Sequence, residues 1–245
     1  SGETKVPIKN LSPMELNERK VIARRCSFEL VPNSVVNLGI GIPDGIANIS
    51  VEEGVNDKFS LSIESGAIGG VPGRGLDIGA STNADAIIDH PYQFDYYDGG
   101  GIDLAYLGLA QVDKYGNVNV SKFNGKLVGC GGFVNISQNA KRVVFCGTFT
   151  SNGLQIKVEN GKLKIVREGK YKKFIKHVEQ ISFSGEYANE VNQQVLYVTE
   201  RAVFELTNKG IVLKEIAPGV RLQEDILNQM DFIPIIHKKL KEMDC

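Results

Sequence analysis

The chain has 245 residues, 42% of them hydrophobic and 23% charged, and a formal net charge of −1. That length is enough to bury the core of a sizeable domain, and the near-neutral charge gives no support for a nucleic-acid or polybasic membrane surface. No uninterrupted apolar run approaches the ~20 residues that a membrane-spanning helix needs.

The opening Ser1-Gly2-Glu3-Thr4-Lys5 lacks the apolar core of a signal peptide, and Ser1-Gly2 reads as a cloning scar or a cleavage remnant. A first helix is expected from Ser12 as cap and Pro13 at its first position, running through Val21, Ile22, Ala23 and Cys26 to end near Pro32-Asn33. Val35-Val36-Asn37-Leu38 is a short β-rich run that opens into the glycine loop Gly39-Ile40-Gly41-Ile42-Pro43, and a second helix is expected from about Pro43 to Glu53-Gly54. Another strand, Phe59–Ile63, ends on Glu64-Ser65-Gly66-Ala67-Ile68-Gly69-Gly70.

The stretch 71–101 reads as loop, and Ile102–Val112 as a long buried strand. Asp113–Asn117 is a turn leading to a returning strand at Val118–Val120. A second glycine loop, Gly129-Cys130-Gly131-Gly132-Phe133, precedes a buried strand at Arg142–Cys146. Asn160-Gly161 between Ile156–Val158 and Leu163–Val166 marks a hairpin, and a second hairpin is expected at Ala202–Leu206 and Ile211–Ile216. Helical pieces are expected near Gln223–Met230 and Pro234–Lys241. Alternating strands and helices indicate an α/β fold: an open, mostly parallel sheet flanked by helices, with β-hairpin additions, over one domain spanning 1–245.

The four cysteines, Cys26, Cys130, Cys146 and Cys245, have no metal-type spacing, and free thiols in a reducing compartment are the simplest reading. His90, His177 and His237 are scattered. Asp95, Asp98 and Asp103 superficially resemble a metal-binding run but read as part of a glycine- and aromatic-rich loop, so no metal is expected. The basic run Lys170, Lys172, Lys173 and Lys176 reads as a solvated face.

Glu64 is the most informative residue. A carboxylate at the carboxyl end of a parallel strand lies where such folds bind ligands, and the small residues after it admit close approach by another molecule. Taken alone, a solvated glutamate at a loop start remains the blander alternative. Gly39–Pro43 lacks the full dinucleotide pattern, since position 44 is Asp. Cys130 has no neighbouring basic residue in sequence to activate it and reads as a small filler.

Glu64-Ser65-Gly66 with Gly69-Gly70, the downstream loop Gly129–Phe133 and the upstream loop Gly39–Pro43 together resemble the three motifs of family I CoA-transferases. The resemblance extends through Gln93–Gly101, Lys122–Lys126, Ile216–Val220 and Gln229–Phe232 to the whole chain, which looks like the C-terminal, catalytic-glutamate half of a short-chain acetate or propionate CoA-transferase. It implies that family's sheet, related to that of sugar-phosphate isomerases. It implies that Glu64 becomes a glutamyl-CoA thioester, with coenzyme A as substrate and no permanent cofactor. It assigns Gly39, Ile40, Gly41, Ile42, Pro43 and Gly66 to CoA, and Gly131 and Gly132 to the oxyanion. An N-terminal partner domain or subunit, absent from this chain, would complete the site in an oligomer. The expected location is the cytoplasm or an organelle matrix. Two competing functions are an acyl-CoA hydrolase using the same glutamate and a non-catalytic ligand-sensing domain of the same fold.

Overall fold

A computed structural model of the chain describes residues 4–7, 13–73, 77 and 79–244. Its main elements, in chain order, are α1 Glu18–Ser27, β1 Val35–Leu38, α2 Asp44–Glu52, β2 Ser60–Ser62, β3 Ala67–Ile68, β4 Ala86–Ile87, α3 His90–Asp98, β5 Leu104–Gly108, α4 Phe133–Asn139 and β6 Arg142–Cys146. The hairpin strands β7 Gln155–Glu159 and β8 Lys162–Arg167 follow, then α5 Gly185–Glu190, β9 Gln194–Val198, β10 Ala202–Thr207, β11 Gly210–Ile216 and β12 Ile235–Glu242.

Ten of these strands form one mixed sheet in the order β12-β11-β10-β9-β6-β5-β1-β2-β3-β4. The five central strands, β9, β6, β5, β1 and β2, run parallel. Antiparallel hairpins extend the sheet on both sides. Parallel strands covered on both faces carry continuous apolar runs, because alternate side chains enter two different cores. Ala105, Leu107, Val143 and Phe145 join one core with Tyr97 of α3, Phe133 and Ile136 of α4 and Ala188 of α5. Leu104, Tyr106, Val144 and Cys146 join the other with Val21 and Ile22 of α1, Ile46 and Ile49 of α2 and Leu163 of the β7–β8 hairpin. Fully burying one such aliphatic or aromatic side chain stabilises the fold by about 1.5–3 kcal/mol.

Both hairpins expected from the sequence are present, at β7–β8 and β10–β11. Elsewhere the structure corrects the reading. Helix α1 begins at Glu18 because the Asn17 carboxamide caps it, accepting from the amides of Arg19 (3.0 Å) and Lys20 (3.3 Å); Ser12 lies outside the described residues. The Ile102–Val112 run breaks after Gly108, and Gln111–Val112 turns away to pair with Val118–Asn119. Residues 90–98 form α3 instead of loop, and Pro91 at its start suits a first helical turn. Pro234–Lys241 is not helical: Ile235–Glu242 pairs in parallel with β11 as the edge strand β12, so sheet hydrogen bonds override a lysine-rich pattern that is compatible with a helix.

Asp98 and Asp103 do not converge. Asp98 accepts from Asn135 and Asn139, whereas Asp103 accepts from the Val35 amide and pairs with Lys141 at 2.7 Å. The basic run is not uniformly solvated either. Burial pushes the Lys173 ammonium down to about 8, and its Nζ lies 3.3 Å from the Leu109 carbonyl oxygen.

Candidate active site

The parallel strands β5, β1 and β2 end on one side of the sheet, where their carboxyl-terminal residues open into a cavity of about 500 Å³. Leu38 at the end of β1 and Gly39 after it, Ile63 and Glu64 after β2, and Leu107 and Gly108 at the end of β5 line it, and the 130–133 segment closes it from the side. This is the crevice in which open α/β sheets hold ligands.

Glu64 takes the second position of a β-turn between β2 and β3. The turn is closed by the Gly66 amide donating to the Ile63 carbonyl (2.9 Å), with the Ile63 amide donating to the Ala67 carbonyl (3.0 Å). Gly66 has φ +114°, and a Cβ there would lie 2.0 Å from the Ile88 carbonyl oxygen, so only glycine permits this turn. Ser65 anchors the tip by donating to the Gly79 carbonyl at 2.8 Å. Glu64 is half-buried, and its carboxylate is directed into the cavity.

The second glycine loop lies directly against that carboxylate. A Cβ on Gly132 would sit 2.6 Å from Glu64 Oε2 and 2.5 Å from the Phe94 ring; one on Gly131 would sit 3.9 Å from Oε1. Neither the Gly131 nor the Gly132 amide donates to an acceptor among the described residues. The arrangement therefore sets the second glycine loop, with two amides that donate to no described residue, against a carboxylate in a largely apolar cavity.

The first glycine loop divides. Gly39 and Ile40 line the cavity. Gly41 faces away: its carbonyl accepts from Arg19 Nη2 (2.7 Å), and the same guanidinium pairs with Asp44 Oδ1 (3.1 Å). Ile42 packs on the α1–α2 core, and Pro43 caps α2. Gly66 shapes the turn and does not line the cavity. Cys130 lines it, half-buried beside Gly131.

Four side chains that the sequence did not single out lie beneath Glu64. Asn37 of β1 is the Cα partner of Ser62 in β2. Its Nδ2 donates to the Ser62 carbonyl (3.2 Å) and to Tyr97 Oη (3.0 Å). Ser62 Oγ lies 2.6 Å from Tyr97 Oη and accepts from Gln93 Nε2 at 2.6 Å. Gln93 and Tyr97 fall in the Gln93–Gly101 stretch of the resemblance, which gave them no role, and Asn37 and Ser62 carried no signal beyond polar identity within a strand. No cluster of His, Cys, Asp and Glu able to hold a metal occurs among the described residues, and no helix among them is long and apolar enough to cross a membrane.

No protein-family model matches the chain. Individual relatives do. The chain is 51% identical over 231 residues to the acetate CoA-transferase YdiF of Escherichia coli K12, covering 94% of this chain and 44% of YdiF. It is 49% identical over 249 residues to the caffeate CoA-transferase of Acetobacterium woodii, covering all of this chain and 47% of that protein. A more distant relative, the acetate CoA-transferase subunit beta of Haemophilus influenzae, is 29% identical and matches over 93% of this chain and 96% of its own length. Among solved structures, the acyl-CoA transferase YdiF of E. coli O157:H7, in a thioester complex with CoA, superposes with a TM-score of 0.89 at 49% identity. That match covers 96% of this chain and 44% of YdiF. The chain thus spans less than half the length of the full-length relatives it matches and nearly all of a beta subunit. Identity near one half along the whole chain, a shared fold and a glutamate-centred cavity agree: the chain belongs to the family I CoA-transferases.

Proposed function

We propose that this chain is the catalytic-glutamate half of an enzyme that moves coenzyme A between a short-chain acyl-CoA and a free carboxylate. The observation that carries this reading is the Glu64 carboxylate, held at a strand-end turn against Gly131 and Gly132, whose amides donate to no described residue.

The chemistry follows from those groups. A carboxylate is itself the nucleophile and needs no general base. One Glu64 oxygen attacks the thioester carbonyl, the C–S bond breaks, and CoA leaves as thiolate, giving an acyl-glutamyl anhydride. The thiolate then attacks the Glu64 carbonyl, releasing the acyl group as a free carboxylate and leaving glutamyl-CoA. An incoming acid reverses both steps. Each step passes through a tetrahedral oxyanion, and a backbone donor at that oxygen is worth about 2.7–4 kcal/mol in acyl transfer. Gly131 and Gly132 are the donors in this reading, and Gly39 and Ile40 flank the arm of CoA. Gly41, Ile42, Pro43 and Gly66 act indirectly by shaping the two loops.

The partner is a complementary N-terminal half, as a domain or subunit, which supplies the rest of the carboxylic-acid pocket within an oligomer. The lengths of the relatives support this. That relatives of near-equal identity are named for acetate and for caffeate agrees with an acid preference written largely in the other half. A cytoplasmic or matrix setting, where acyl-CoA and free acids meet in short-chain acid metabolism, belongs to the same reading.

The test is intact-mass spectrometry of the chain assembled with its complementary half after mixing with acetyl-CoA. An adduct of CoA mass on Glu64, absent in Glu64→Gln, is the expected result. Acetate-dependent exchange then separates a transferase from a hydrolase, which would release acid and CoA without an acceptor. An unmodified Glu64 under turnover would rule the mechanism out.

A further inference from the structure

The polar group beneath Glu64 is buried to an unusual degree. Asn37 is 1% exposed, and Ser62, Gln93 and Tyr97 are fully buried. Four hydrogen bonds of 2.6–3.2 Å link them into one network centred on Ser62. The group is also incompletely satisfied: Asn37 Oδ1 and Gln93 Oε1 accept from no described residue. A buried polar cluster with two orphaned carboxamide oxygens is less stable than an apolar filling of the same volume. Its presence therefore asks for a role other than stability.

Geometry supplies one. Ser62 is the last residue of β2, two residues before Glu64 in the turn that follows, so its side chain fixes the end of β2 before the turn. Two groups from α3 hold it: Gln93 Nε2 donates to Ser62 Oγ, and Tyr97 Oη lies within hydrogen-bond distance of it. The neighbouring strand contributes Asn37, which ties the Ser62 carbonyl to the Tyr97 hydroxyl. On the same helix, between Gln93 and Tyr97, Phe94 packs against Gly132 in the opposing loop. Phe94 is wedged between His90 and Tyr97, with ring centroids 4.9 and 5.7 Å away. Helix α3 thus touches both walls of the catalytic gap at once: the strand that carries the carboxylate and the loop that carries the amides. Burial, with a further push from the Glu64 charge, outweighs the hydrogen bonds and raises the Tyr97 hydroxyl above its ordinary value.

Resting on the reading of Glu64 as nucleophile, we propose that Asn37, Ser62, Gln93 and Tyr97 are positioning residues through which α3 sets the spacing between the Glu64 carboxylate and the Gly131–Gly132 amides. Ser62, Gln93 and Tyr97 do not line the cavity, and Asn37 reaches its floor with only 1% of its surface exposed, so in this proposal they act through Glu64 and not on the reacting atoms. Their effect falls on the attack step, where small misplacements of a reacting group are costly.

The experiment uses the chain assembled with its complementary half, acetyl-CoA as probe, and the variants Gln93→Met and Tyr97→Phe. The rate of glutamyl-CoA formation is followed in a single turnover by quenched-flow mass spectrometry, beside the steady-state KM and the thermal midpoint. Gln93→Met is informative because it removes one donor and one orphaned acceptor together, so stability should hold. The expected result is thioester formation slowed by about tenfold or more in both variants, with KM within about twofold of the parent and the Gln93→Met midpoint unchanged. Parent-like single-turnover rates would overturn the proposal, and so would losses that merely follow loss of folded protein. If the parent itself forms no adduct on Glu64, the underlying reading fails first, a result separable from a failure of positioning alone.

Discussion

Gly132 is held to glycine by what stands opposite it. An added methyl would have to displace either the Glu64 carboxylate, at 2.6 Å, or the Phe94 ring, at 2.5 Å. Gly132→Ala is therefore expected to lower the transfer rate by about 100-fold while the chain still folds, because a misaligned nucleophile is penalised far more than a core that shifts slightly. Single-turnover adduct formation together with a thermal melt measures both. Glu64 could be named as the candidate from sequence because it combines three signals: an apolar run before it, small residues after it and a second glycine loop downstream; the structure places it on the cavity wall. Gly131 and Gly132 entered as candidates through the glycine-loop motif of the resemblance, and the structure sets them against Glu64. Asn37, Gln93 and Tyr97 could not be named in this way, since a polar side chain in a strand or helix reads as solvent-facing until tertiary structure buries it.

Helix α1 shows how an element boundary is settled by one side chain. The sequence offers Ser12-Pro13 as a start, but the Asn17 carboxamide satisfies two of the amides left open at the helix end. Asn17→Ala is expected to destabilise the chain by about 1 kcal/mol, read as a lowered denaturant midpoint with unchanged slope. Helix α3 was missed because its buried face is Gln93, Phe94 and Tyr97 and carries no aliphatic stripe. Helices α4 and α5, with seven and six residues, are too short to show periodicity. Strand β12 was misread for the opposite reason: Ile235–Glu242 has no decisive period, and pairing with β11 decides its state. The hairpins needed no such help, because Asn160-Gly161 adopts the positive φ values (51° and 71°) that a two-residue turn demands.

Across the molecule, ionic clusters join segments far apart in the chain. Arg25 of α1 binds Glu215 of β11 through two hydrogen bonds (2.7 and 2.8 Å) and Glu29 at 2.6 Å, while Glu29 also pairs with Arg142 of β6. On the other side, the fully buried Arg201 bonds Glu200 (2.6 Å) and Glu168 (2.8 and 3.1 Å). Burial works against ionisation of Glu168, but hydrogen bonds from Arg201 and Thr150 outweigh it and hold its carboxyl below the usual glutamate range. A depressed folded value means that this contribution is complete above the unfolded carboxylate value, ~4.3, and is lost as the pH falls through the lower folded value. Glu168→Gln is therefore expected to lower the thermal midpoint at pH 7, and the gap from the parent should shrink on acidification below about pH 4. A gap that stayed constant with pH would assign the effect to packing.

Sequence alone determined the local rules of this protein: four of the five central parallel strands (β1, β2, β5 and β6, but not β9), where hairpins reverse, and that a glutamate at a strand tip lies between two glycine loops. Those features depend on neighbours within a few residues, or on motif order along the chain. Only the tertiary structure decided which of the motif residues line the cavity and which face α1 or close turns. It alone brought Phe94 against Gly132 and the carboxamides of Asn37 and Gln93 beneath Glu64. The physical reason is that these contacts join β1, β2, α3 and the 130–133 loop across a folded sheet, where burial and hydrogen-bond satisfaction are set by residues dozens of positions away.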